Sequence, residues 1–239
     1  LGLRDDGPMI RALRALREDH GDKVVLMADV CMCTVTDHGH CGHVHKGTIL
    51  NDRTVTSLAD MAVIAAEAGA DYVGASDMMD GRVHAIRTAL EDAGHHATGL
   101  LSYAVKFASA FYGPFRDAAG SSPREGDRRS HQMDPRAPVK EAVMEARLDE
   151  EEGADVLMVK PALAYLDVVA AVQAATHRPI AVYNVSGEYA MVHAQHPNQN
   201  GRRAVVEEIM HGFRRAGADV IVTYHAREIF TEGWLGVQA

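Results

Sequence analysis

Apolar residues fall along this chain in two alternating rhythms. Short, nearly unbroken apolar runs occupy 24–28, 72–76, 99–103, 156–160, 179–183 and 220–224, which is how strands buried on both faces read. Between them lie amphipathic stretches rich in Ala and Glu, predicting helices near 8–19, 56–68, 81–93, 138–152, 165–176 and 202–216. One junction recurs three times: Glu67-Ala-Gly69-Ala-Asp71, Glu152-Gly153-Ala-Asp155 and Arg215-Ala-Gly217-Ala-Asp219 each lead straight into an apolar run. A helix closing on glycine and handing over to a strand explains all three.

Six strands separated by helices predict a parallel sheet with helical cover, because parallel strands need long crossovers. Polar residues then decide the architecture. Asp29 and Cys31, Ser76 and Asp77, Lys106, Lys160, Ser186 and Tyr224 each follow or end a different strand. Such a spread matches the C-terminal face of a barrel better than the single switch point of an open doubly wound sheet. The expectation is an α/β protein with a (β/α)8 TIM barrel, a single domain over 1–239. Only six of eight strands are legible, so the first two βα units are expected to be absent from this chain, before Leu1. An incomplete barrel of this kind is expected to fold poorly by itself.

The stretch 112–138 breaks the rhythm. It is rich in Gly and Pro and carries Arg116, Arg124, Arg128 and Arg129. Long loops in compact domains often act as lids, and guanidinium groups beside a polar face suit a carboxylate or phosphate. Arg124 reads as solvated surface charge.

Composition narrows the function classes. With 239 residues, 47% of them hydrophobic, the chain can bury a substantial core. A net charge of −9 gives no basic footprint for nucleic acid. No apolar run is long enough to cross a membrane, and no secretory signal pattern opens the chain. The three cysteines, clustered rather than spread for pairing, fit a reducing compartment and a cytoplasmic protein.

Those cysteines are the sharpest local signal. All three lie in Asp29-Val-Cys31-Met-Cys33-Thr-Val-Thr-Asp-His38-Gly-His40-Cys41-Gly-His43-Val-His45. Three thiolates amid four imidazoles make a soft-ligand site that suits Zn²⁺, and three protein ligands leave a position open for chemistry. Two alternatives stand beside this: inert buried thiols, or a structural zinc closed by His38, His40, His43 or His45. Lys106 and Lys160 add a second signal, since each ends an apolar strand. Convergent strand ends would make the two ammonium groups neighbours, lowering their pKa values and freeing an amine for attack on a ketone. A single-lysine aldolase with structural zinc, or a non-catalytic metal-binding protein, would use less of this set.

The chain resembles the porphobilinogen synthase family, also called delta-aminolevulinic acid dehydratase. The resemblance rests on DVCMCTVTDHGHCG (29–42), GTILND (47–52), SDMMDGRVHAIRTAL (76–90), SYAVKFASAFYGPFRDAA (102–119), GDRRSHQMDP (126–135), EEGADVLMVKPALAYLDVV (151–169), VSGEYAM (185–191) and RAGADVIVTYHA (215–226). It implies a (β/α)8 barrel that condenses two 5-aminolevulinate molecules into porphobilinogen with loss of two waters. By resemblance Lys160 forms the imine with the propionate-side substrate and Lys106 serves the acetate side. Arg116 and Arg128 would hold one carboxylate, Ser186 and Tyr224 the other, with Gln132 in the same substrate-binding set. Cys31, Cys33 and Cys41 would be the catalytic zinc ligands, and Glu145 a candidate ligand for an allosteric Mg²⁺. The resemblance also implies a homo-oligomer, octameric in the family. Beside it, Asp29 and Ser76 are expected to orient an amine or a water, and Tyr112 to offer a hydroxyl near the imine.

Overall fold

The computed structural model describes residues 2–119 and 127–236. In chain order its elements are α1 (Pro8–His20), β1 (Met27–Val30), a small hairpin of β2 (Val44–His45) and β3 (Thr48–Ile49), α2 (Asn51–Glu67), β4 (Tyr72–Ala75), α3 (Arg82–Asp92) and β5 (Gly99–Lys106). There follow α4 (Gly113–Ala119), α5 (Val139–Glu151), β6 (Val156–Lys160), α6 (Leu166–Ala175), β7 (Ile180–Asn184), α7 (Ser186–Gln195), α8 (Gln199–Ala216), β8 (Val220–Thr223) and α9 (Ala226–Thr231).

The three repeated junctions behave alike, and for a shared reason. Gly69, Gly153 and Gly217 have φ of 101°, 105° and 108°, a left-handed conformation that glycine enters without a steric penalty. Two residues on, each Asp accepts the first backbone N–H of the neighbouring strand region: Leu26 N to Asp71 at 2.7 Å, Leu100 N to Asp155 at 2.8 Å, Ile180 N to Asp219 at 3.0 Å. One short motif thus ends a helix and sets the register of the strand beside it.

All six long strands pair in parallel, in the order β1-β4-β5-β6-β7-β8. A doubly wound sheet would reverse its order at a switch point, and this one never does. The observed fold is therefore α/β with a six-stranded parallel sheet wound in one sense along the chain. Among the described residues, β1 and β8 have no second strand neighbour, and no closure into eight strands is seen.

Strand residues divide by parity between two layers. Val73, Ala75, Leu100, Leu157, Val159, Ile180 and Val182 join the large core with the helices. Leu101, Tyr103, Val156, Met158 and Ala181 form a smaller cluster on the opposite face. In β5 the alternation is broken: pairing with β6 slips between Ser102 and Val105, a β-bulge. Val105 therefore joins the helix-side core and Lys106 lands on the other face, in register with Lys160. The bulge has dedicated support. Arg82 of α3, buried, donates to Asp149 at 3.2 Å, to Ser102 Oγ at 3.1 Å and to Tyr103 O at 3.4 Å. Losing this one cation would leave the buried carboxylates of Asp77 and Asp149 without their counter-charge, at a cost of about 3–5 kcal/mol.

Three expectations need correction. The first strand starts at Met27 rather than at 24, because pairing with β4 begins at Met27↔Tyr72 and leaves Val25 68% exposed before it. The Arg-bearing loop begins as a helix, α4, although Arg124 lies outside the described residues. The helix expected near 202–216 starts earlier, at Gln199, a few residues after α7 ends at Gln195. No helix among the described residues is long and apolar enough to cross a membrane.

Candidate active site

Lys106 and Lys160 end adjacent strands opposite each other and open into one cavity, together with Asp29, Cys33, Ser76, Tyr112, Arg116, Arg128, Ser186 and Tyr224. Their surroundings differ. Lys106 is buried and its Nζ donates to Ser76 O. Lys160 Nζ sits among aromatic faces, 3.9 Å from the Tyr183 ring centroid, 5.1 Å from Tyr103 and 5.6 Å from Tyr112. Burial first, and the Lys106 charge second, bring the Lys160 ammonium down to about 7. A free amine is thus available at neutral pH, which carbonyl attack requires.

The thiols converge beside the lysines. One Sγ from each of Cys31, Cys33 and Cys41 lies within 4.8 Å of the others; sulfur atoms around a tetrahedral zinc are separated by roughly 3.8 Å. Hydrogen bonding to Cys31, then burial, pushes the Cys33 thiol up to about 12. Crowded thiols resist ionisation until a cation compensates them, so the donor set fits a soft divalent metal. Among the described residues no imidazole belongs to this group: His43 Nε2 pairs with Ser57 Oγ at 2.9 Å, and His38 Nδ1 accepts from His40 N at 3.1 Å. The residues present make a three-thiol site rather than a closed one.

Two arginines from the Arg-bearing segment reach the same cavity. Arg128 is buried and donates to Gly39 O at 2.9 Å, while the Arg116 guanidinium lies over the Tyr112 ring at 5.4 Å. Burial, then repulsion from Arg128, lowers the pKa of Arg116. On the far wall, Ser186 opens α7. Gly187 is obligatory there, because a Cβ would meet Phe111 O at 2.5 Å. Glu188, buried, accepts from Val185 N at 2.8 Å, Asn184 Nδ2 at 3.0 Å and Leu163 N at 2.9 Å, which fixes the first turn. Ser186 Oγ accepts from Phe115 N at 3.0 Å and so ties α4 to α7 across the cavity.

A family model described as delta-aminolevulinic acid dehydratase matches residues 2–232. The delta-aminolevulinic acid dehydratase of Methanothermobacter thermautotrophicus is 52% identical over 223 residues, 93% of this chain and 68% of that relative. The chain belongs to the delta-aminolevulinic acid dehydratase family. The Bacillus subtilis dehydratase is 50% identical over 227 residues, 94% of this chain and 69% of its own length. The Toxoplasma gondii delta-aminolevulinic acid dehydratase, solved in complex with its reaction product porphobilinogen, superposes with a TM-score of 0.92 at 45% identity, covering 97% of this chain and 67% of that one. The chain thus spans about two thirds of the length of these dehydratases.

Not every residue expected from the dehydratase resemblance lines the cavity. Gln132 is buried elsewhere, in a second cavity with Asp80, Arg82, Glu141, Glu145 and Asp149. The turn that carries Arg128 inward, closed by Gln132 N donating to Arg128 O at 2.9 Å, leads Gln132 away. Glu145 lines that same second cavity, where burial, then Asp149, raises its carboxyl pKa. Among the described residues the groups of three or more metal-ligating side chains do not include it. Tyr112 lines the active cavity, but its hydroxyl donates to Phe107 O at 2.9 Å, with Lys160 O at 3.2 Å, holding the strand end rather than pointing at a substrate. Tyr103 and Tyr183, absent from the expected set, form the aromatic seat of Lys160. Their strand parity, two residues on from Leu101 and from Ala181 on the inner face, is the signal that could have found them.

Proposed function

We propose that this chain condenses two molecules of 5-aminolevulinate into porphobilinogen, acting as a hydro-lyase of tetrapyrrole biosynthesis through imines at Lys160 and Lys106 and a zinc ion held by Cys31, Cys33 and Cys41. The observation that carries the mechanism is the pairing of Lys106 with Lys160 across adjacent strands, beside three converging thiols. A reaction that joins two identical ketones must activate them differently. Lys160, desolvated and partly free amine, adds to the first ketone and expels water as its imine forms. Lys106, hydrogen-bonded to Ser76 O, is placed to do the same for the second. A thiolate-bound zinc supplies a mild Lewis acid and a negatively charged neighbour for a substrate ammonium. Asp29, on the same wall, can accept or relay a proton from that amine. Arg116 and Arg128 take one carboxylate, and Ser186 with Tyr224 the other. An enzyme of aldolase type would leave the second lysine without a role.

The finer architectural readings belong to the same proposal. Consecutive strand order and a polar set at the strand ends support a (β/α)8 barrel. Self-association is supported by α5, which leaves Met144 and Leu148 exposed.

Two expected results follow from the site. Trapping of the Lys160 imine with borohydride should speed up by about tenfold per pH unit up to about pH 7 and then level off, because the free amine is the reactive form. Lys106→Met should move that midpoint upward, since it removes a like charge. A rate at Lys160 that is flat across this range, measured by peptide mapping, would refute the assignment. Arg116→Ala and Arg128→Ala should each raise KM by roughly tenfold to a hundredfold, the loss of a charge-assisted contact of about 1.5–3 kcal/mol. Arg129, whose side chain is 80% exposed, is the control. Equal effects at all three positions would mean that these arginines do not clamp a carboxylate.

A further inference from the structure

A second set of metal-ligating groups lies behind Tyr224, away from the cysteines. His193 near the end of α7, His225 directly after Tyr224, and Glu228 in the first turn of α9 each present one ligand atom within 4.8 Å of the others. Their spacing is the informative part. His225 Nδ1 is 3.4 Å from Glu228 Oε2, and His193 Nε2 is 3.7 Å from the same oxygen. Good N–H···O bonds lie near 2.9 Å. Nitrogen and oxygen ligands on one tetrahedral zinc, at bond lengths of roughly 2.0–2.2 Å, are separated by roughly 3.4 Å. The contacts are long for hydrogen bonds and right for two ligands of one ion.

The surroundings are those of a built site. His225 is fully buried, and His193 Nε2, the atom that faces Glu228 Oε2, is shut off from solvent without a hydrogen bond among the described residues. Arg202 donates to Glu228 Oε1 from Nη2 at 2.6 Å and from Nε at 3.1 Å. That leaves Oε2 for the imidazoles and orients the carboxylate, the part an outer partner plays around a metal ligand. The Tyr189 ring packs against both imidazoles, with centroids 4.1 Å from His193 and 4.6 Å from His225, and holds them in place.

We propose that His193, His225 and Glu228 form a second divalent-metal site, suited to zinc, which clamps α7 to the β8–α9 corner behind Tyr224. Two imidazoles and one carboxylate oxygen are a ligand set that zinc accepts with a fourth position left for water. Bound there, the ion would replace two poor contacts with three metal bonds and brace both elements that supply the far wall of the active cavity.

The test is anaerobic titration of the chelator-stripped protein with Co²⁺, read by absorption. Two equivalents should bind per chain: one with intense thiolate-to-cobalt charge transfer, one with only weak ligand-field bands. His193→Ala and Glu228→Gln should weaken the second equivalent by more than about a hundredfold, the upper end of what loss of an outer partner costs, and leave the thiolate signal intact. Cys41→Ser should do the reverse. His193 is partly exposed, so His193→Gln serves as the variant least able to disturb folding, checked by its melting transition. A single thiolate-type equivalent in the unaltered chain, or a second one indifferent to His193→Gln and Glu228→Gln, overturns the proposal. Because the readout is metal uptake, neither result depends on the condensation reaction.

Discussion

Lys160→Met should lower turnover by on the order of ten-thousandfold or more, as loss of a covalent nucleophile does, while the protein keeps its melting temperature or gains slightly. The two halves of that expectation share one cause. The ammonium of Lys160 is desolvated among Tyr103, Tyr112 and Tyr183 and repelled by Lys106. The folded chain therefore carries an unfavourable group at this position, and an apolar side chain of similar length relieves it. Borohydride reduction of the unaltered protein with bound 5-aminolevulinate should leave a covalent adduct that peptide mapping places at Lys160. An adduct found only elsewhere, or a methionine variant that still turns over, would sink the assignment.

Removing divalent metal should abolish activity, and zinc should restore it, with uptake at the cysteines releasing close to three protons per ion at neutral pH. The proton count follows from the thiols: the Cys33 thiol is pushed up to about 12 and the Cys41 thiol up to about 11, and that of Cys31 well above its ordinary value. All three are protonated without metal, and thiolates are what zinc binds. Affinity should accordingly fall steeply as pH drops, because protons and zinc compete for the same sulfurs. Serine at any of the three positions should cost most of the activity, since one of three ligands is gone. Full activity in metal-free protein, or uptake without proton release on an unbuffered pH electrode, would show that the cysteines do something else.

The strands were legible because parallel strands covered on both faces must be apolar throughout, and the three Gly-Ala-Asp junctions marked where helices stop. The convergence of the three thiols was legible because they are close in sequence. Helix α7 was not: Ser186-Gly-Glu-Tyr-Ala-Met-Val-His-Ala-Gln195 has scattered apolar positions and is held by Glu188 and by Gly187 resting on Phe111, contacts that no periodicity reports. The hairpin of β2 and β3 escaped because its strands have two residues each, although Lys46 and Gly47, with φ of 49° and 78°, are a turn pair of recognisable type. The placement of Gln132 was also missed, since a single turn between Arg128 and Met133 decides which cavity it faces. Strand ends are legible in sequence; which way a side chain faces after an irregular turn is not.

The irregularity in β5 absorbs a change of chain length without moving the site. Between Ser102 and Val105 the strand holds one residue more than its partner needs. With Ala104 taken out, Tyr103 would still face the inner layer, Val105 the helices and Lys106 the inner layer, as regular alternation requires. Val105 and Lys106 would keep Val159 and Lys160 as their partners. The extra residue is taken up inside the bulge, and a chain shorter by that one codon would present the same two amines side by side.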